Sequence, residues 1–214
     1  MKNLKKLVLL VFAGLTIAAC NKREIIPAPE RKVELKNHFI GTIEGTEVEL
    51  TENVNGFSGK SDVTMIVSPN AIDSAVYQSE FYSTSSLQSI KILHGSVLFE
   101  AASSPKPSLA YFKSFYSANT EPVFSNEGKN GFAIEYTDAA GKKWKTRQQN
   151  TSTDESVQYL YLEQKSDEAG DYMLFRITFS TVVYRDLIDP IDDTNITELA
   201  LPITNATYTG WYKR

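Results

Sequence analysis

The run Arg185-Asp-Leu-Ile-Asp-Pro-Ile-Asp-Asp-Thr-Asn195 holds the densest set of oxygen donors in the chain. Asp186, Asp189, Asp192 and Asp193, with Asn195, are hard ligands of the kind Ca²⁺ collects in sixes to eights. Their spacing lacks the glycine and closing glutamate of an EF-hand loop, and a proline among aspartates equally suits a solvated hairpin loop. Calcium is therefore one reading of this segment, with no other cofactor expected. Two histidines, His38 and His94, are the only imidazoles. No HExxH, GxSxG, Walker or GxGxxG pattern accompanies them, and no catalytic residue is assigned. His94 shares strand parity with Ile90 and Ile92 and precedes Gly95, which predicts a half-buried histidine at a strand end; His38 opens the first strand. Glycosidase or lyase chemistry would need two carboxylates about 5–10 Å apart across a cleft, and the sequence places no such pair.

Aromatic side chains are the more suggestive set, with eleven Tyr, eleven Phe, Trp144 and Trp211. Ring faces beside polar groups bind sugars and peptides well. In the last strand Tyr208 and Tyr212 share one face and Trp211 takes the other, so these three are the expected ligand surface. Tyr82, Tyr111, Tyr159 and Tyr161 are further candidates. Half-buried strands favour the same residues for packing alone, which is the competing reading. Asp73-Ser74-Ala75 resembles a short bacterial O-glycosylation acceptor, making Ser74 a candidate modification site.

The whole chain has 214 residues, a formal charge of −4, 42% hydrophobic and 22% charged residues, and one cysteine. This is ordinary globular composition, and it excludes a disordered chain, a disulfide scaffold and a multi-cysteine metal site. An acidic balance also argues against nucleic acid as a partner.

The cysteine has a particular setting. Lys2, Lys5 and Lys6 precede the uncharged stretch Leu7 to Ala19, the layout of a secretory signal peptide and too short for a membrane span. Ile17-Ala18-Ala19-Cys20 resembles a bacterial lipobox. That resemblance implies diacylglycerol on the Cys20 thiol, cleavage before it and acylation of the new N-terminus. The expected address is the cell envelope, as an outer-membrane lipoprotein held by its acyl chains. Losing residues 1–19, three of them lysines, takes the charge from −4 to −7.

Residues 20–36, with Pro27 and Pro29, read as the lipidated cysteine and a semi-extended tether. Lys22, Arg23, Arg31 and Lys32 near the anchor are suited to anionic head groups, although a solvated linker needs the same composition. Only Glu24 is acidic directly after the cysteine, so the periplasmic and cell-surface leaflets are both consistent with the sequence.

From residue 37 to 214 alternation with period two dominates. Met173, Phe175, Ile177 and Phe179 point one way in Asp171–Tyr184. Ser156–Lys165 sets Leu160 and Leu162 opposite Tyr159 and Tyr161, and SDEAG joins these two strands as a hairpin. Further strands are predicted at His38–Glu44, Glu47–Glu52, Asp62–Ser68, Ala75–Ser83, Gln88–His94, through Phe132, Ile134 and Tyr136, around Trp144, and at Thr204–Tyr212. One short helix is predicted near 108–117, where Leu109, Phe112, Phe115 and Tyr116 fall at helical spacing behind a Ser108 cap. About ten strands and one helix predict a single all-β domain, an antiparallel β-sandwich or partly open barrel.

The order HFIGTIEGTEVELTE, GFAIEYTDAAGKKWKT, YMLFRITFSTVVY, NATYTGWY is similar to small β-rich envelope lipoproteins of Bacteroidota. That resemblance covers most of residues 37–214 and implies fold and location rather than an activity. The function expected from the sequence is a binding or accessory module for a glycan or an envelope protein. A structural or assembly lipoprotein without a small ligand is the alternative, and a glycosidase or lyase the third class.

Overall fold

The computed structural model describes residues 32–67, 72–125, 128–129, 131–148, 155–188 and 196–214. Ten strands and one helix follow in chain order: β1 (His38–Ile43), β2 (Thr46–Thr51), β3 (Phe57–Ile66), β4 (Asp73–Ser83), β5 (Ser89–Phe99), α1 (Leu109–Ala118), β6 (Gly131–Thr137), β7 (Lys143–Lys145), β8 (Ser156–Asp167), β9 (Gly170–Ile188) and β10 (Ile196–Lys213). They form one antiparallel sheet ordered β2-β1-β10-β9-β7-β6-β5-β4-β3, with β8 also pairing to β9. The sheet curls into a half-barrel, so the expected all-β class is observed and, among the described residues, so is the single short helix. Among the described residues, no helix is long and apolar enough to cross a membrane.

Local chemistry explains the elements. Glu44 and Gly45 both adopt positive φ (49° and 78°) between β1 and β2, the turn whose twist matches a tight hairpin. The alternation expected in β9 is realised: Met173, Phe175, Ile177 and Phe179 are all buried. In α1, the Ser108 hydroxyl accepts from the Tyr111 N–H at 3.2 Å, Phe112 and Tyr116 are fully buried, and Leu109 and Phe115 pack beside them. The helix sets its apolar stripe into the curl of the sheet, with the Phe112 ring 4.8 Å from Tyr77 and the Tyr116 ring 5.0 Å from Tyr212.

Three bulges alter the simple alternation, one of them between β4 and β5, where Ala75 opposes Val97 but Tyr77 opposes His94. In β8 the register slips between Tyr159 and Tyr161: Tyr159 opposes Ile177, whereas Tyr161 opposes Arg176. Tyr159 is therefore buried and Tyr161 exposed, where strict alternation puts them on one face. In β10 the slip lies between Ile203 and Ala206, with Asn205 at φ 51°. The inward set thus changes from Leu201 and Ile203 to Ala206, Tyr208 and Tyr212.

The curl brings β10 against β3 and β4 without a ladder. Lys213 N–H donates to Ser61 Oγ (2.8 Å), Trp211 N–H to Ser79 Oγ (3.4 Å), and Ser79 Oγ lies 3.1 Å from the Tyr208 hydroxyl. Gly210 permits this approach: a Cβ there would stand 2.7 Å from Ser79 Oγ and 2.4 Å from the Tyr208 ring.

The compact unit spans Lys32–Arg214. Val33, within the expected tether, donates its N–H to Asp167 Oδ2 (2.8 Å), and Asn37 just before β1 donates its N–H to Glu52 (2.9 Å).

Candidate binding cleft

The cross-strand register builds a row of alternating charge on the outward face. Lys60 opposes Glu80, Glu80 opposes Lys91, Lys91 opposes Glu135, Glu135 opposes Lys145, and Lys145 opposes Tyr184. Five strands each contribute one charged residue before the row ends on an aromatic ring. Ion pairs close at Lys60–Glu80 (3.1 Å) and Lys91–Glu135 (2.8 Å). Opposite charges facing each other across a ladder stabilise it by roughly 0.2–1 kcal/mol per pair. A second outward row runs Ser89–Thr137–Lys143.

Over the β5–β6–β7–β9 part of these rows lies a cleft of about 580 Å³. β7 is only three residues long and meets β9 at the single pair Lys145–Tyr184, and the cleft sits over that narrow junction. Five cations line it, Lys91, Lys143, Lys145, Arg147 and Arg185, against three carboxylates, Glu80, Glu135 and Asp186.

The cations fall into two kinds. Arg147 is committed: its Nη2 donates to Asp186 Oδ1 (2.8 Å), it pairs with Glu198, and its guanidinium lies 5.1 Å over the Tyr184 ring. Lys91 is committed to Glu135. Arg185 lies 5.1 Å over the Trp144 ring, and its Nε is buried without an acceptor. Lys143 and Lys145 are exposed and have no carboxylate within ion-pair distance among the described residues.

Trp144 is itself fixed by the turn before it. Asp138 accepts from the Ala140 and Lys142 N–H groups (2.9 Å each) and from the Trp144 indole N–H (3.3 Å). Partial desolvation raises the Asp138 pKa, but these donors and the nearby Lys142 charge outweigh it and hold the carboxyl below its usual range. This explains the Asp-Ala-Ala-Gly-Lys-Lys-Trp spacing: one carboxylate organises both the turn and the indole that carries Arg185.

A second polar constellation lies inside the core. His94 Nδ1 is 2.9 Å from the Tyr159 hydroxyl, which is 3.0 Å from that of Tyr212. The rings of Phe115, Tyr116, Phe132 and Tyr159 surround the imidazole at centroid distances of 4.8–5.8 Å. Burial lowers the His94 pKa from 6.5 to about 3, so the ring is neutral at physiological pH. It is fully buried within β5 rather than half-buried at a strand end.

The expected ligand surface is corrected by this packing. Tyr208 and Tyr212 are completely enclosed, and both hydroxyls titrate well above the ordinary tyrosine range, chiefly through burial. Trp211, on the opposite face of β10, packs edge-on against Tyr172 at 5.7 Å and is also buried. Tyr208 and Tyr212 therefore offer no ring face to a ligand, and Trp211 keeps only 9% of its surface exposed. Tyr159 is core as well, Tyr82 lies under Lys60 (4.8 Å), and Tyr111 and Tyr161 remain exposed.

Asp186 extends from β9 and is paired with Arg147; Asp189, Asp192, Asp193 and Asn195 lie outside the described residues, as do Cys20, Lys22, Arg23 and Arg31. Among the described residues no group of three or more acidic, histidine or cysteine side chains is placed to hold a metal. Ser74 is half-buried within β4, between Ile66 and Leu98 in register, while neighbouring Asp73 accepts from the Ala101 N–H.

The cleft residues Lys91, Glu135, Lys145, Tyr184 and Arg185 carry no sequence motif. Only the pairing of strands remote in the chain puts them together. No protein family, curated protein or solved structure matches the chain.

Proposed function

We propose that this protein is a lipid-anchored lipoprotein of the bacterial outer membrane that acts as a binding or accessory module, taking a glycan or protein ligand on the outward cleft. The observation that carries this reading is the cleft itself. Most of its lining belongs to the outward face of the sheet, with Trp144 and Arg185 reaching it from the core-facing positions of β7 and β9, and its volume falls within the range of small-ligand sites. Its Arg147 and Arg185 side chains are oriented by aromatic rings and carboxylates, so binding does not have to order them.

The anchoring half is tested by metabolic palmitate labelling: the wild-type chain takes up label and Cys20→Ala does not, while equal labelling of both refutes lipidation. The binding half is tested on the full chain in detergent, by thermal shift against neutral and acidic envelope polysaccharides together with cross-linking in cells. A ligand or partner lost in Arg185→Ala supports the reading. A chain that shifts with none of the panel and cross-links to no partner through the cleft overturns it.

One observation favours the assembly alternative. Leu160 and Tyr161, on strand β8, are 56% and 47% exposed. Cross-links confined to these two positions would move the function there.

A further inference from the structure

We propose that the cleft over Lys143, Lys145 and Arg185 binds an acidic saccharide, one that carries carboxylate or sulfate groups among free hydroxyls. This rests on the binding-module reading above and names the ligand class for it.

The first argument is charge. The chain as a whole is acidic, at −4, yet five cations and three carboxylates line the cleft. The excess is local and uncompensated. Lys91 and Arg147 spend their charge on Glu135, Asp186 and Glu198, whereas Lys143, Lys145 and Arg185 have no acid partner among the described residues. Lys143 and Lys145 occupy alternate positions of β7 and so present their ammonium groups to the same face. Arg185 adds a buried Nε without an acceptor, held in place by Trp144. Unpaired donors beneath a cleft are satisfied by an anionic ligand, and bonds from charged donors are about twice as strong as neutral ones.

The second argument is the mixture of groups. Ser89 and Thr137 face Lys143 along the outward row and supply hydroxyls that donate or accept. The carboxylates use one oxygen each in their pairs: Glu135 gives Oε2 to Lys91, and Asp186 gives Oδ1 to Arg147. Their second oxygens are acceptors for ligand hydroxyls. Leu87, 66% exposed, offers an apolar rim for a C–H face. A simple anion leaves these acceptors unused, and a neutral sugar leaves the three cations unpaired. An acidic sugar matches both sets.

The test uses the full chain in detergent and four probes: oligogalacturonate, a heparin-derived tetrasaccharide, malto-oligosaccharide of matched length, and poly-L-glutamate. Binding is followed by calorimetry at about 50 and about 500 mM NaCl, because partly exposed charge pairs weaken as salt shortens the screening length. The expected result is that one or both acidic saccharides bind, malto-oligosaccharide does not, and affinity falls several-fold at the higher salt. The double variant Lys143→Gln/Lys145→Gln loses at least tenfold in affinity with an unchanged unfolding temperature, and Arg185→Gln behaves in the same direction. Equal binding of malto-oligosaccharide overturns the ligand class while leaving a binding module. Poly-L-glutamate bound as tightly as the saccharides overturns it in favour of an acidic polypeptide. Undiminished affinity in the double variant, or no binding of either acidic saccharide, also overturns the proposal. The module reading is then decided separately by the neutral polysaccharides and the cross-links.

Discussion

His94 Nδ1 and the Tyr159 hydroxyl lie 2.9 Å apart in a part of the core closed to solvent, and the imidazole there is neutral. Its folded pKa, about 3, is below the ordinary 6.5 that it regains on unfolding. The unfolded chain therefore binds the extra proton, and the stability from keeping His94 neutral is full above about pH 6.5 and is lost as pH falls toward 3. The expected slope is about 1.4 kcal/mol per pH unit within that window. Urea unfolding at pH 7, 6 and 5 reads it directly. The wild type should lose stability along this slope and His94→Gln should not; equal slopes in both would contradict the burial argument.

Helix α1 stabilises through two rings rather than through its whole surface. Phe112→Ala removes a fully buried side chain that meets Tyr77 and Tyr116, and should cost about 3–5 kcal/mol. Tyr111→Ala, one position earlier and 63% exposed, should change stability by less than about 0.5 kcal/mol. Denaturant midpoints of the two variants distinguish these outcomes. Similar losses in both would mean that the helix acts by propensity rather than by packing.

Gly210 should tolerate no side chain. A methyl group there meets the Tyr208 ring and Ser79 Oγ inside contact distance, so Gly210→Ala should destabilise by about 1–3 kcal/mol through overpacking. Combining it with Ser79→Gly removes one of the two clashing partners and should recover part of the loss. A double variant as unstable as the sum of the single changes would show that the close approach is not the cause.

The outward charge row should contribute little stability. A double-mutant cycle on Lys91 and Glu135 should give a coupling of about 0.2–1 kcal/mol that shrinks in high salt, since both groups are partly exposed. A coupling well above that range would assign the row a structural purpose.

Much of the fold is written in local sequence. The β9 face, the Ser108 cap with its helical stripe, the Glu44–Gly45 hairpin and the Asp138 turn each depend on residues a few positions apart. Two places resisted such a reading for a physical reason. Bulges at Tyr159/Tyr161 and Ile203/Ala206 insert a residue, and period-two counting then gives the wrong face beyond them. The cleft was illegible for another reason. Lys91 and Glu135 are 44 positions apart, and nothing in either neighbourhood specifies that their strands pair in that register. Tyr208 and Tyr212 misled because an aromatic chosen to fill a core and one chosen to hold a ligand look alike until the covering layer is known.

The contact of β10 with β3 and β4 has a consequence for motion. A complete barrel is held around its circumference by backbone ladders, whereas this one is fastened along that line by Ser61, Ser79 and the Tyr208 hydroxyl. Three side-chain bonds and a glycine make a seam, and a curled sheet relaxes most cheaply where it is stitched rather than woven. Slow breathing of the molecule should begin there, with the Lys213 and Trp211 amides exchanging with solvent before those paired deep in the β9–β10 ladder.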